Sequence, residues 1–272
     1  MPFVELESSP HAAHAPKASP VRIHYRDVGH GRPVVFLHCG WGYGVYPIDR
    51  QVEALKDEVR FLIPDRSGHG RSSEFAGPLP IDFHRRAAEE TLLVLDALGI
   101  ERAVIWGHSD GAVIAAMIGL VAPARCSRLI LEAVHFWRDK PSSREFFTRF
   151  ADHPGEVSEK LKSLLSADHG ERWADIVRRN CRVWLELAKL DSGRAGDLRP
   201  HDLYDGRLGE LTVPVMFLHG RGDPRTEPGE MESVRAALPG AEVRFIENGR
   251  HSPHSEDSRW RQVNNILRQV IE

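Results

Sequence analysis

The amino-acid sequence predicts an α/β fold, with a mostly parallel central sheet of about eight strands flanked by helices and an inserted helical cap. Short apolar runs alternate with helical periodicity over residues 33–131 and again from residue 213 onward. Such alternation is typical of parallel sheets covered by helices on both faces. Between these stretches the alternation stops and only helical patterns follow one another. We therefore expect residues 1–135 and 208–272 to form the core and residues 136–207 to form the cap.

Composition limits the classes of partner. The chain has 272 residues, of which 41% are hydrophobic and 28% charged, with a formal net charge of −3. This is typical of a globular domain with a sizeable core, and it offers no positive surface for nucleic acid or an anionic membrane. We expect a small-molecule substrate as the partner and neither nucleic acid nor membrane, and we leave a homo-oligomer open.

The first residues and the cysteines indicate the compartment. The chain starts without a basic segment followed by an apolar run, and no apolar run is long enough to span a bilayer. Cys39, Cys126 and Cys181 are far apart and lack C-x-x-C spacing, which argues against disulfides or a zinc site. We expect a cytoplasmic protein with free thiols, no metal and no cofactor.

The predicted elements follow from hydrophobic periodicity. Strands are expected at residues 3–7, 21–27, 33–37, 59–63, 102–106, 128–131, 213–218 and 242–246. Core helices are expected near residues 48–55, 82–98, 112–122, 230–238 and 260–270, and cap helices at 142–151, 156–167 and 171–190. The segment 8–20 is predicted to be a mobile loop, and its prolines leave His11 and His14 without a helix that could align them on a metal.

A glycine-rich turn follows the run at 33–37 and resembles a dinucleotide-binding fingerprint in outline. Gly40, Gly42 and Gly44 give G-x-G-x-G, but the last glycine of the fingerprint would fall on Val45, and Pro47 interrupts the required helix. The spacing therefore argues against this interpretation. The glycines instead allow close approach of the backbone to a substrate.

A second turn carries the strongest functional signal. Residues 107–111 read Gly-His-Ser-Asp-Gly between an apolar run and an apolar helix. In such a strand–turn–helix unit, G-x-S-x-G exposes the serine at the tip of a strained turn, and the free N–H groups of the helix face any negative charge that develops there. Asp223 and His251 each follow a later strand, so parallel strands place both at the same sheet edge as Ser109.

Over residues 21–272 these motifs resemble those of α/β-hydrolases with a cap, in the serine hydrolase or esterase group. The matching segments are His-Cys-Gly-Trp-Gly at 38–42, the D-x-x-G-x-G-x-S pattern at 65–72, the serine turn at 107–111, G-x-x-D at 220–223 and Gly-Arg-His at 249–251. Two positions depart from the family pattern: Cys39 replaces a glycine, and Arg250 separates the usual Gly-His pair.

The resemblance implies a catalytic triad. Ser109 is the expected nucleophile, His251 its base and Asp223 the acid that orients the base. Backbone amides of Gly40 and Asp110 are the expected oxyanion donors. An ester or related acyl bond of a small, largely apolar substrate would be cleaved through an acyl-enzyme.

Other residues could compete for these roles. Glu132, at the end of the sixth strand, is a second candidate acid, ranked behind Asp223. His108 and His254 are alternative bases, but neither matches the family position, so we expect them to serve packing.

The cap and its border are rich in aromatic residues, with eight of the chain's 21 aromatic side chains in residues 136–207. Most of them are expected to form the cap's own core. Candidates for substrate contact are Trp41, Phe136, Trp137 and Trp184.

Several functions remain open. A serine at the turn excludes the aspartate nucleophile of haloalkane and epoxide enzymes. Carbon–carbon bond hydrolases, cofactor-free perhydrolases and a non-catalytic ligand receptor share the fold. Asp110 resembles the residue that receives the substrate ammonium in amino-acyl ester hydrolases. The alternative is that it hydrogen-bonds to neighbouring backbone or to an arginine and only rigidifies the turn.

Overall fold

The computed structural model describes residues 2–10, 20–74, 77–190 and 202–271. The predicted loop at 8–20, with His11 and His14, therefore lies mostly outside the described residues. The strands are β1 (Phe3–Leu6), β2 (Val21–Gly29), β3 (Arg32–Leu37), β4 (Val59–Pro64), β5 (Ala103–His108), β6 (Cys126–Glu132), β7 (Val215–Gly220) and β8 (Glu242–Ile246). The helices are α1 (Asp49–Leu55), α2 (Phe83–Ala97), α3 (Asp110–Val121), α4 (Arg144–Asp152), α5 (Glu159–His169), α6 (Trp173–Lys189), α7 (Glu230–Ala237) and α8 (Trp260–Ile271).

One eight-stranded sheet has the order β1-β2-β4-β3-β5-β6-β7-β8. The pairs β1·β2 and β2·β4 are antiparallel, and every later pair is parallel. The carboxyl ends of β3, β5, β6, β7 and β8 therefore meet at one edge. The predicted mostly parallel sheet of eight strands with flanking helices and a helical insert is confirmed.

The apolar runs form strands because both faces of the sheet are covered. On β3, Val35 and Leu37 face the core cluster shared with α3, while Val34 and Phe36 face the cluster shared with α1 and α8. All four side chains are fully buried. Successive strand residues point to opposite faces, so a strand buried on both sides must be apolar at every position.

Most element boundaries differ from the sequence prediction by one to three residues, and two of these shifts have a clear local cause. Helix α3 starts at Asp110 rather than 112, because Ser109 alone makes the turn from β5. Helix α5 starts at Glu159 rather than 156, because Ser158 caps it and accepts a hydrogen bond from the Leu161 amide at 3.3 Å. Capping side chains of this kind satisfy the free N–H groups of a first turn.

The helical insert, α4 to α6, follows β6 and precedes β7. It lies over the edge that carries the serine turn, since Phe146 of α4 stacks on Trp41 and Trp184 of α6 donates to Asp110. Among the described residues, no helix combines the length and apolar character needed to cross a membrane.

Candidate active site

The turn between β5 and α3 forces Ser109 into a strained conformation. Its backbone has φ 58° and ψ −121°, a combination that costs a non-glycine residue free energy. A Cβ on Gly107 would lie 2.0 Å from the Gly111 carbonyl oxygen, and one on Gly111 would lie 2.0 Å from the Leu37 carbonyl oxygen. Both glycines are therefore required for the turn to pack against β3.

Three side chains form a hydrogen-bonded chain at this edge. Both carboxylate oxygens of Asp223 lie 2.9 Å from His251 Nδ1, and His251 Nε2 lies 3.1 Å from Ser109 Oγ. Burial alone would raise the pKa of Asp223, but the charge and hydrogen bond of His251 outweigh it and hold that pKa below its ordinary value. Asp223 thus stays a carboxylate and accepts a hydrogen bond from Nδ1–H, which leaves the lone pair of Nε2 free to accept from the serine hydroxyl.

A second histidine, not predicted from the sequence, also contacts the serine. His135, just after β6, places Nε2 3.2 Å from Ser109 Oγ, and its ring stacks on His251 with centroids 5.8 Å apart. Burial, reinforced by the charge of Lys140, lowers the pKa of His135 well below its ordinary value, so the ring is neutral.

The tautomer of His135 follows from the bonds of Ser109. The hydroxyl has a single proton, and His251 Nε2 is its acceptor. His135 can therefore bond to Ser109 Oγ only as a donor, from Nε2–H. This tautomer leaves Nδ1 of His135 as an acceptor, and that buried atom has no hydrogen-bond partner among the described residues.

The predicted oxyanion loop is held by a buried arginine. Arg66 donates to the carbonyl oxygens of His38 at 2.6 Å and Cys39 at 2.8 Å. The Gly40 N–H lies on the opposite side of the same planar peptide as the Cys39 oxygen, so Arg66 turns it away from itself. A Cβ on Gly40 would lie 2.3 Å from Asp110 Oδ2, which explains the glycine.

The two departures from the family pattern are accommodated. Cys39 is buried and its thiol donates to the Gly42 carbonyl oxygen at 3.3 Å. The Arg250 side chain is exposed, and its backbone N–H donates to Glu256 at 2.8 Å. Neither residue displaces the triad atoms described above.

Asp110 is the second buried carboxylate of the site. It accepts hydrogen bonds from His84 at 3.0 Å, Asn180 at 2.7 Å and Trp184 at 3.1 Å. Burial would raise the pKa of Asp110, but the hydrogen bond and charge of His84 and the attraction to Arg66 outweigh it and lower the pKa. Its partners are side chains of α2 and the insert, whereas the sequence suggested backbone or an arginine.

The insert also holds the oxyanion loop from above. His169 of α5 accepts a hydrogen bond from the Gly70 amide at 2.9 Å and lies 2.9 Å from the Trp41 carbonyl oxygen, to which it donates. Asp168 accepts from the Gly44 amide at 2.8 Å. The insert is therefore bonded to both glycine loops that flank the serine.

A cavity of about 390 Å³ opens beside Ser109. Its apolar wall comprises Trp41, Phe146, Phe147, Leu161 and Trp184. Trp41 and Trp184 thus lie where the sequence predicted substrate contact.

Phe136 and Trp137, also predicted as substrate contacts, do not line this cavity. Glu230 accepts hydrogen bonds from both of their backbone amides, at 2.7 and 3.1 Å, and directs the chain toward α7. The Phe136 ring packs against Tyr204 instead.

The competing histidines and acid are engaged elsewhere. Glu132 Oε1 lies 2.9 Å from His254 Nδ1, and His254 Nε2 lies 3.0 Å from the Tyr46 carbonyl oxygen. His108 lies 2.9 Å from the His251 carbonyl oxygen, and burial lowers its pKa to about 3. The described residues include no cluster of three or more His, Cys, Asp or Glu side chains arranged to hold a metal ion.

The sequence model of the alpha/beta hydrolase family matches residues 34–265, and the chain belongs to this family. It is 23% identical over 237 residues to the mouse serine hydrolase BPHL, covering 86% of this chain and 78% of that relative. It is 26% identical over 258 residues to the pimeloyl-[acyl-carrier protein] methyl ester esterase of Nitrosomonas europaea, covering 85% and 93%.

Among solved structures, a thermophilic esterase from Thermogutta terrifontis superposes with a TM-score of 0.71 at 19% identity, covering 99% of this chain and 97% of that chain. These relatives and neighbours are hydrolases or esterases. The protein is an α/β-hydrolase.

Proposed function

We propose that the protein is a serine hydrolase that cleaves an ester or related acyl bond of a small, largely apolar molecule through an acyl-enzyme. The supporting observation is the continuous chain of hydrogen bonds from Asp223 through His251 to Ser109. A serine hydroxyl is a weak nucleophile at neutral pH, and this chain provides the base that activates it.

In the first step, His251 Nε2 takes the Ser109 proton as Oγ attacks the carbonyl carbon. The backbone amides of Gly40 and Asp110 stabilise the oxyanion, and the Asp110 amide is at the first position of α3, where it has no partner within the helix. His251 then gives its proton to the leaving alcohol. A water molecule, deprotonated by His251, releases the acid and restores Ser109.

We infer a small substrate because the cavity volume of about 390 Å³ is at the lower end of ligand-site volumes. Its largely apolar character is supported by the aromatic wall. We also propose residues 136–207 as the cap. The two ends of this segment pair with each other, since the Leu203 amide donates to the Phe136 carbonyl oxygen at 2.8 Å.

The test is turnover of short p-nitrophenyl esters by the wild type and by Ser109→Ala, with mass spectrometry of quenched reactions. We expect an acyl adduct on Ser109 and loss of turnover in the variant, whose thermal stability should be nearly unchanged. Ser233→Ala, which changes a half-buried serine of α7 that does not line the cavity, is the matched control and should retain activity. Retained turnover in Ser109→Ala would reject the proposal, and labelled Ser109 without ester turnover would favour carbon–carbon bond hydrolysis.

A further inference from the structure

Arg225 brings a positive charge into the cavity beside Ser109. It lies two residues after Asp223, and its guanidinium stacks on the Phe146 ring of α4 with Cζ 3.5 Å from the ring centroid. The side chain is half-buried and lines the same cavity as the serine. Burial lowers the pKa of Arg225, and the charge of Asp223 opposes that change.

The Arg225 side chain has no carboxylate or other hydrogen-bond acceptor within the part of the chain that the structure describes. A guanidinium has five N–H donors, so its hydrogen-bonding capacity is unused. Arg221 on the same loop provides the contrast. It also stacks on a ring, that of Phe245 at 4.3 Å, but it donates to Glu247 at 2.6 Å and lies at the surface.

A second unused donor lines the same cavity as Arg225. Tyr46 lines the cavity, and its hydroxyl has no hydrogen-bond partner among residues 2–10, 20–74, 77–190 and 202–271. Burial raises the pKa of Tyr46 to about 12, and the charge of Arg225 opposes this rise. Tyr46 is therefore a neutral hydroxyl that can donate a proton in a hydrogen bond.

The carboxylates that line the cavity are already engaged. Asp110 accepts three hydrogen bonds from His84, Asn180 and Trp184, which uses most of the acceptor capacity of a carboxylate. Glu256 accepts from the Arg250 amide at 2.8 Å. Beside the unpartnered Nδ1 of His135, the unused polar groups of the cavity include two donors, the charged guanidinium of Arg225 and the neutral hydroxyl of Tyr46.

We propose that Arg225 and Tyr46 form a subsite for an anionic group of the substrate, so that the preferred ester has an apolar body and a terminal carboxylate. This inference rests on the proposed ester hydrolysis and names its substrate class. A carboxylate between the two side chains would accept charge-assisted hydrogen bonds from the guanidinium and one from the Tyr46 hydroxyl. It would also neutralise a charge that burial has partly removed from water.

The test compares mono-p-nitrophenyl adipate with p-nitrophenyl hexanoate, which have the same chain length and differ in the terminal carboxylate. Arg225→Met should lower kcat/KM for the adipate ester by about 10- to 100-fold, the usual effect of a lost charge-assisted bond, and change the hexanoate ester little. Tyr46→Phe should lower kcat/KM for the adipate ester severalfold. Arg221→Met, the matched control, should alter neither ester.

An equal loss of kcat/KM on both esters in Arg225→Met would mean that Arg225 only holds Phe146 in place. An unchanged kcat/KM for the adipate ester would overturn the subsite directly. Binding of adipate to Ser109→Ala, measured by calorimetry, separates this inference from the proposed reaction. If adipate binding depends on Arg225 and Tyr46 but no ester is hydrolysed, the proposed subsite is supported and the proposed ester hydrolysis is rejected. If esters are hydrolysed but adipate binds Arg225→Met as well as the parent, the subsite fails alone. Arg225→Gln, which removes the charge but keeps a polar side chain, replaces Arg225→Met if the latter does not fold, and the same loss on the adipate ester is expected.

Discussion

Two histidine–carboxylate pairs lie at the same sheet edge and differ in whether the histidine can act as a base. In Asp223–His251 and in Glu132–His254, the carboxylate lies 2.9 Å from Nδ1. The pairs differ at the other ring nitrogen. His251 Nε2 meets the hydroxyl of Ser109, whereas His254 Nε2 meets the carbonyl oxygen of Tyr46.

This difference decides which histidine can act as a base. A carbonyl oxygen only accepts, so His254 Nε2 bonds to it by donating, and this nitrogen presents no lone pair to a hydroxyl. The hydroxyl of Ser109 can donate, so His251 keeps a lone pair directed at a reactive atom. His251 is also partly open to the cavity, with 14% of its side chain exposed, against 0% for His254. Under the proposed mechanism, the same pair of residue types serves chemistry in one place and structure in the other.

The largest effect is expected from a substitution in the Asp223–His251 pair. His251→Ala should lower kcat/KM by about 10⁴- to 10⁶-fold, as removal of a triad base does, with little change in thermal stability. His254→Ala should instead reduce the amount of folded protein, measured by circular dichroism. The kcat/KM per folded molecule should stay closer to the wild-type value. Activity retained in His251→Ala and lost in folded His254→Ala would exchange the two roles.

The next largest effect is expected from a substitution in the Glu132–His254 pair. Glu132→Leu leaves His254 buried without its carboxylate and removes the acceptor for Trp106 Nε1 at 3.1 Å. A buried donor left without its acceptor costs about 1 to 3 kcal/mol, so the free energy of unfolding in urea should fall by at least that amount. Asp223→Asn, the matched change in the other pair, should lower activity more than stability. Equal losses of stability would contradict the distinction.

A smaller effect concerns the second histidine on Ser109. His135→Phe keeps a ring against His251 and Trp184 but removes the N–H that meets Oγ. We expect acylation to slow by about tenfold, the value of one neutral hydrogen bond. Deacylation should change less, because Oγ is then an ester oxygen and a weak acceptor. Stopped-flow kinetics separate the two steps, and equal slowing of both would indicate a purely structural role.

The smallest effect is a change in the slope of stability against pH. The pKa of His108 is lowered to about 3 in the folded protein against an unfolded value of 6.5. Below pH 6.5 the unfolded chain therefore binds a proton that the folded protein does not, and stability falls as pH falls. His108→Gln should reduce that slope by up to about 1.4 kcal/mol per pH unit between pH 6.5 and 5, measured by urea unfolding. An unchanged slope would mean that His108 titrates normally.

The sequence predicts the reactive pair better than its surroundings. Asp223 and His251 each follow a strand, and parallel strands bring their ends together, so chain order alone places them near Ser109. His135 follows β6 in the same way and could have been found by that rule, but no motif marks it. The partners of Asp110 come from α2 and α6, whose contacts depend on packing that local periodicity does not specify.

Phe136 and Trp137 show the limit of composition as a guide. Their aromatic character suggested substrate contact, but the chain direction after β6 is set by Glu230, 93 or 94 residues later. The apolar cap likewise gave no sign of Arg225, which lies outside it and reaches the cavity from the loop after β7.

The most direct test of the central claim is covalent labelling with a fluorophosphonate probe, mapped by mass spectrometry. The probe reacts with a serine that has an activating base, before any substrate is known. We predict a single label on Ser109 that is lost in Ser109→Ala, strongly slowed in His251→Ala and retained in folded His254→Ala. Labelling of another serine, or labelling of Ser109 that depends on His254 and not on His251, would contradict the account.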